Sequence, residues 1–232
     1  MALNRDSIYS NQGNPSVLRF IGENDRKVLD VGCGSGDTAQ LIRSIHSNIN
    51  ITGITCSQAE FEKAVQRLDF CFCVDIEQDP FPIFPHKQYD AIYLAHILEH
   101  LVDPVAVVRK LLPYLKVGGK LIMVVPNVMN WRNRWKLLLG KFEYAESGIM
   151  DKTHLHFYTF HTAARYLMDP FPELQLETYA VNGNVPLAFF RHHVLNDSIR
   201  QRLDKFGCHL LPNLFGSEIL MKATKRLSQT GP

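Results

Sequence analysis

A chain of 232 residues, 46% hydrophobic and 21% charged, suits one globular domain with a sizeable core. Its formal net charge of +2 makes no electrostatic case for nucleic-acid binding. Apolar runs are strand-sized rather than membrane-spanning, residues 1–6 are polar with no signal-peptide core, and the five cysteines (Cys33, Cys56, Cys71, Cys73, Cys208) form no C-x-x-C pair, so reduced thiols and a cytoplasmic location are expected.

Residues 1–25, broken by Gly13, Pro15 and Gly22, predict a lead-in helix or flap. Lys27–Val31 then reads as a short strand running into glycines. Ser35–His46, with Ala39, Leu41, Ile42 and Ile45, reads as a helix. Ile49–Ile54 is a β-branched strand. Ser57–Leu68 is a helix opened by a capping box of Ser57 and Glu60. Phe70–Val74 and Tyr89–Ala95 are strands. Asp103–Leu115 is a helix with Pro104 in its first turn, and Lys120–Val125 is a strand introduced by Gly118-Gly119. This alternation predicts an α/β fold, a doubly wound parallel sheet with helices on both faces.

After Pro126 the rhythm changes. Asn130–Lys141 predicts a basic amphipathic helix, Glu143–Thr159 an irregular stretch rich in His, Asp and aromatics, and Phe160–Met168 another helix. Leu174–Val181 and Ser217–Thr224 read as late strands, separated by a partly helical insertion containing Phe189–His193. No linker divides the chain, so residues 1–232 read as one domain. Segments 127–170 and 182–213 are expected to form a lid or acceptor-side insertions. In that reading the Trp residues of Asn130–Lys141 are buried and its cations solvated.

The strongest chemical signal is Val28-Leu29-Asp30-Val31-Gly32-Cys33-Gly34-Ser35-Gly36. A strand enters a glycine turn and a helix follows, which lets a ligand lie against bare backbone. A dinucleotide fingerprint needs its third glycine at position 37, which is Asp37; here it is Gly36. The acid at Asp30 suits a ligand bearing an ammonium group rather than a pyrophosphate.

Over Val28 to Asn127 the chain resembles class I S-adenosylmethionine (SAM) dependent methyltransferases, the broad family that includes the ubiquinone-biosynthesis O-methyltransferases. Asp30, Gly32, Gly34 and Gly36 match its first motif. The resemblance implies a seven-stranded Rossmann-like sheet with an antiparallel last strand, the two late strands forming a terminal hairpin. It also implies SAM as cofactor, with its methionine part on the glycine loop.

The second strand departs from the family, which places an acid for the ribose where this chain has Thr55, in Gly53-Ile54-Thr55-Cys56-Ser57. Thr55 is expected at the ribose, with Gln58 or Glu60 assisting. In Cys73-Val74-Asp75-Ile76-Glu77 the resemblance gives Asp75 the adenine amino group and the Ile76 amide the ring. The expected cofactor-lining set is Asp30, Gly32, Cys33, Gly34, Gly36, Thr55, Cys56, Asp75, Ile76 and Ala95.

His96, Glu99 and His100 share one face if their segment is helical. Some relatives carry E-x-x-E-H here and bind a metal; this chain has His96 in place of the first Glu, with His154 or His156 available downstream. A divalent metal is left open but not favoured. The run Asp151-Lys152-Thr153-His154-Leu155-His156-Phe157-Tyr158-Thr159 resembles a signature of a branch linked to saccharide or natural-product pathways. His154, His100, His96 and Asp151 are the expected acid–base group, since His titrates near neutrality.

The function expected is methyl transfer from SAM to an oxygen or nitrogen of a small-molecule acceptor. A metal-assisted RNA 2′-O-methyltransferase is the alternative, disfavoured by the weak net charge and by a single basic helix. A non-catalytic SAM-binding scaffold would not need the His and Asp crowded at the acceptor mouth. Nucleic-acid partners are not expected, and the sequence fixes no oligomeric state.

Overall fold

The computed structural model describes residues 13–80, 85–186 and 196–227. They form one seven-stranded sheet flanked by helices. In chain order the elements are α1 (Pro15–Leu18), β1 (Lys27–Val31), α2 (Asp37–Ile45), β2 (Asn50–Thr55), α3 (Gln58–Ala64), β3 (Phe70–Cys73), β4 (Tyr89–Ala95), α4 (Pro104–Leu111) and β5 (Leu115–Pro126). They are followed by α5 (Trp131–Leu138), α6 (Ala163–Leu167), β6 (Leu174–Gly183), α7 (Asp197–Leu210) and β7 (Gly216–Lys225). Short 3₁₀ turns cover Leu98–His100 and Leu112–Tyr114.

The strand order is β3-β2-β1-β4-β5-β7-β6. Strands β1 to β5 pair in parallel, and β7 runs antiparallel to both β5 and β6. The expected terminal hairpin is therefore present, and it joins the sheet through its second strand. The order reverses between β1 and β4, which opens a crevice beyond their carboxyl ends, the usual ligand position in such sheets.

Both faces of the sheet are apolar, and side chains alternate between them along each strand. On β1, Leu29 and Val31 join the cluster with Val107, Val108 and Leu111 of α4 and Ala163 and Leu167 of α6. Val28 points to the other cluster, with Val17 of α1, Ala39 and Ile42 of α2 and Ala64 of α3. Burying residues of this kind stabilises by roughly 1.5–3 kcal/mol per large side chain, which is what makes the sheet a rigid platform.

Side chains cap most helices. Asn14 accepts from Ser16 N, Ser57 from Glu60 N, Asp103 from Ala106 N and Asn130 from Arg132 N and Asn133 N. Helix α2 instead starts on Gly36, whose φ of 82° only glycine adopts readily, so it begins at Asp37 rather than Ser35. The strand expected over Lys120–Val125 starts earlier, at Leu115, which pairs with Tyr89 across a bulge. The helix expected over Asn130–Lys141 is shorter. Gly140 at φ 72° closes it, with Gly140 N donating to Leu137 O and Lys141 N to Lys136 O. Phe160–Met168 is helical only over Ala163–Leu167. In the 182–213 insertion, α7 is described, while Phe189–His193 lies outside the described residues, as do residues 1–12 of the expected flap. Among the described residues, no helix is long and apolar enough to cross a membrane.

Candidate active site

The loop after β1 is built on three glycines with left-handed backbones, Gly32 (φ 77°), Gly34 (φ 53°) and Gly36 (φ 82°). Gly32 N and Cys33 N both donate to Ile54 O, at 2.8 and 2.9 Å, which ties the loop to β2. The glycines differ in their surroundings. A Cβ on Gly32 would stand 2.0 Å from Ile97 Cδ1, so packing against the segment after β4 excludes one. A Cβ on Gly34 would meet nothing nearer than Glu60 Oε1, at 3.8 Å. At Gly34 the left-handed φ of 53° favours glycine, and the space beside it is open enough to admit a ligand.

Asp30 lies beneath this loop, only 2% exposed. It sits opposite Tyr93 in the β1–β4 register, and Asp30 Oδ2 and Tyr93 Oη are both buried, interacting with each other and making no hydrogen bond elsewhere. Burial pushes the Asp30 carboxyl up to about 7. A buried carboxyl beside a glycine cradle fits a cationic ligand group.

At the end of β2, Thr55 does not offer its hydroxyl outward. It is buried, donates to Glu60 Oε2 at 2.8 Å and accepts from Ser57 N at 3.3 Å. The expectation places Thr55 at the ribose; in the structure its hydroxyl proton is committed to Glu60 inside the protein. The acid beside Gly34 is Glu60, brought from the first turn of α3. Cys56 is half-buried just beyond. At the end of β3, Asp75 Oδ1 accepts from Glu77 N at 3.0 Å and Gln78 N at 3.3 Å, so the carboxylate shapes the turn around buried Ile76.

The histidines gather at the end of β4, after half-buried Ala95. They do not lie along one helix face, because only Leu98–His100 is helical and His96 has a left-handed φ of 58°. His96 N donates to Val124 O at 2.9 Å. Its ring is clamped between two carboxylates, with Nδ1 3.4 Å from Glu99 Oε1 and Nε2 3.1 Å from Glu218 Oε1. Despite its burial, the hydrogen bonds and charge of Glu218 and Glu99 push the ring up to about 10, so it is an imidazolium at neutral pH. The same pairing holds Glu218 below the usual carboxylate range, against the cost of its own burial. Glu218 also accepts from Ser16 Oγ at 2.8 Å, which links α1 to the site. The sequence reading missed Glu218; its only signal is an acid just before the apolar run Ile219–Met221 of the final strand.

Glu99 is fully buried, and its carboxylate makes no hydrogen bond beyond the 3.4 Å contact of Oε1 with His96 Nδ1. Ligand atoms of Glu99, His100 and His154 all lie within 4.8 Å of one another. The loop after α5 is stapled over them, because Leu155 N and His156 N both donate to Glu99 O, at 2.8 and 3.0 Å. His154 turns inward, its side chain 5% exposed and Nε2 4.0 Å from Glu99 Oε1. Its Nδ1 lies 3.1 Å from Ile149 O, and burial pushes its pKa down. His156 points away, to Val102 O at 3.4 Å.

Asp151 is buried and committed to Thr153, accepting from Thr153 N at 2.8 Å and from Thr153 Oγ1 at 2.7 Å. It is therefore not a free acid or base. With its only hydroxyl proton given to Asp151, Thr153 Oγ1 accepts from His100 Nδ1, 3.0 Å away. This fixes the tautomer of half-buried His100 and leaves Nε2 with its lone pair.

The expectation that both Trp residues of α5 are buried is also corrected. Trp131 is half-buried, donating Nε1–H to Asn184 O at 3.1 Å, whereas Trp135 is 61% exposed. Helix α5 is pinned by its first turn only, so its later residues face outward.

A family model described as a methyltransferase domain matches residues 6–169. Ubiquinone biosynthesis O-methyltransferase of Histophilus somni is 28% identical over 156 residues, covering 62% of this chain and 64% of that protein. The chain thus matches less than two thirds of that relative's length. Among solved structures, a plantazolicin methyltransferase in complex with S-adenosylhomocysteine superposes with a TM-score of 0.57 at 19% identity, covering 91% of this chain and 80% of the other. A SAM-dependent methyltransferase from Archaeoglobus fulgidus gives 0.55 at 16% identity, covering 88% and 87%. At these identities the likeness is one of fold.

Proposed function

Because this chain belongs to the methyltransferase-domain family, we propose that it transfers a methyl group from SAM to an oxygen or nitrogen of a small-molecule acceptor of natural-product or saccharide type. The observation that carries this reading is the adjacency of two half-sites. The glycine cradle over Asp30 ends β1, the His100 group follows β4, and these strands are neighbours.

The cofactor supplies an already activated methyl group on a sulfonium, so the protein's task is alignment and proton handling. Gly32, Cys33, Gly34 and Gly36 give backbone against which the methionine part lies, and Asp30 balances its ammonium. Glu60, held by Thr55, takes the ribose hydroxyls. Asp75 and Ile76 edge the adenine, with Cys56 and Ala95 lining the remaining walls. His100 Nε2 accepts the acceptor's proton, while Thr153 and Asp151 position the ring. His154 is too enclosed to reach an acceptor, and His96 already carries its proton. Residues 127–170, 182–186 and 196–213 form the acceptor side.

A second, metal-assisted reading is favoured by one observation, the convergence of buried Glu99 with His100 and His154, ligand atoms of all three lying within 4.8 Å of one another. These three residues would hold a divalent ion. The first reading is preferred because the His96 imidazolium, 3.4 Å from Glu99, already supplies the positive charge that a carboxylate at position 96 would leave to a metal.

Calorimetry with SAM, S-adenosylhomocysteine and NAD tests the proposal. SAM and S-adenosylhomocysteine should bind and NAD should not. Gly34→Val should abolish that binding while the protein stays folded. NAD binding without SAM binding would overturn the reading.

A further inference from the structure

Beyond Trp131, α5 carries an outward apolar stripe. Leu138 of α5 and Leu139 at its C-cap lie three and four residues beyond Trp135, and all three are exposed, Leu138 to 76%, with exposed Phe142 just past the Gly140 turn. Exposed cations Arg132, Lys136 and Lys141 flank the stripe, and no acidic residue occurs from Met129 to Phe142. Helix α7 carries a second apolar stripe, with the acids Asp197 and Asp204 also on the helix. Ile199, Leu203, Phe206 and Leu210 are spaced four, three and four apart, all exposed, Phe206 to 66%, with Arg202 and Lys205 exposed beside them.

The two helices hang from one place. Trp131 Nε1 donates to Asn184 O and Arg134 Nη2 to Asn213 O, at 3.1 and 3.4 Å. Val185 N donates to Asp204 Oδ1 of α7 at 2.9 Å. These anchors lie just past β6 and just before β7, and α5 follows the end of β5. That is the end of the sheet where His96 and Glu218 meet across β5.

We propose that this surface docks the protein on an anionic lipid bilayer, with the α5 stripe seated among the acyl chains and headgroups and the flanking cations on the phosphates. Side-by-side exposed leucines, an exposed Trp and cations without acids are the composition of an interfacial helix. The charge decides the lipid class, since each Lys or Arg near a negative leaflet adds attraction that a neutral bilayer does not. Single-stranded nucleic acid would use the cations and Trp135 but gains nothing from Leu138 and Leu139, which cannot stack on bases.

The test is co-sedimentation of the full chain with vesicles of phosphatidylglycerol and phosphatidylcholine, beside vesicles of phosphatidylcholine alone. The protein should pellet with the anionic vesicles and much less with neutral ones. The doubles Lys136→Glu/Lys141→Glu and Leu138→Asp/Leu139→Asp, checked for folding by circular dichroism, should each cut partitioning by about tenfold or more, the scale of two lost surface contacts. Wild-type fluorescence should shift blue on adding anionic vesicles, and Trp135→Phe should remove the shift. Three results would each overturn the proposal: no pelleting with either vesicle, pelleting unchanged by Leu138→Asp/Leu139→Asp, or filter retention of an oligoribonucleotide in place of vesicle binding.

Discussion

Thr55 donates its hydroxyl proton to Glu60 Oε2 at 2.8 Å, and the other carboxylate oxygen of Glu60 faces Gly34. The acid missing from the end of β2 is thus delivered from a neighbouring helix. Glu60→Ala should weaken SAM binding by about 1.5–3 kcal/mol, the range for hydrogen bonds to a charged group. Thr55→Val should cost less, because it loosens the carboxylate without removing it. Calorimetry on both variants checks this, and a larger loss at Thr55 would show that the ribose is held elsewhere.

Asp30 sets a pH dependence. Its carboxyl is pushed up to about 7 by burial, so the free protein holds it increasingly protonated below neutrality. SAM affinity should therefore fall as pH drops from about 8 to about 6, and Asp30→Asn should bind weakly with a flat profile. Stability runs the other way. A folded-state value above the ordinary 3.8 means that the proton is held more tightly in the folded chain, so the contribution is full below 3.8 and is lost as pH rises through about 7. Asp30→Asn should consequently raise the melting temperature of the cofactor-free protein at about pH 8 and change it little at about pH 4. An unchanged melting temperature at the higher pH would mean that Asp30 is not the buried charge described.

The chain from Asp151 through Thr153 to His100 predicts a split between turnover and binding. His100→Ala should lower kcat by about 10²- to 10⁴-fold, the usual contribution of a positioned general base, with SAM affinity retained. Thr153→Val and Asp151→Asn should each lower kcat less and move the pH profile, because they release the tautomer rather than remove the base. Full activity in His100→Ala would transfer the proton to solvent.

His96 predicts a change in metal behaviour. Wild-type methyl transfer should persist in chelator. His96→Glu removes the imidazolium held between Glu99 and Glu218 and concentrates negative charge there. That variant should turn over only with an added divalent cation, measured as activity restored after chelation. Chelator-sensitive wild-type activity would establish the metal-assisted reading instead.

The parallel strands were readable because buried β-branched runs such as Ile51–Ile54 alternate with amphipathic helices, and the glycine loop because its spacing is local. The histidine cluster was readable in membership but not in geometry. His96 reaches Glu99 through a left-handed backbone and not through helical spacing, and its second partner, Glu218, lies 122 residues away. Thr55 and Asp75 were readable as strand-end polar residues. What could not be read was whether their polar atoms face a ligand or satisfy the protein's own backbone, because that depends on Glu60 and on the turn after β3. The exposure of Trp135 was hidden for a similar reason: a helix pinned only at its first turn has the same periodicity as a buried one.

Ile97 occupies the space that a side chain at position 32 would need, 2.0 Å from a Cβ placed on Gly32. It follows His96 and precedes the turn bearing Glu99 and His100, so one methyl group touches the cofactor loop while its backbone carries the acceptor side. On the proposed assignment of the two sites, binding of the two substrates should be coupled through this contact. Ile97→Ala should move the KM for SAM and the KM for the acceptor together, and product on one side should change the off-rate of its partner on the other.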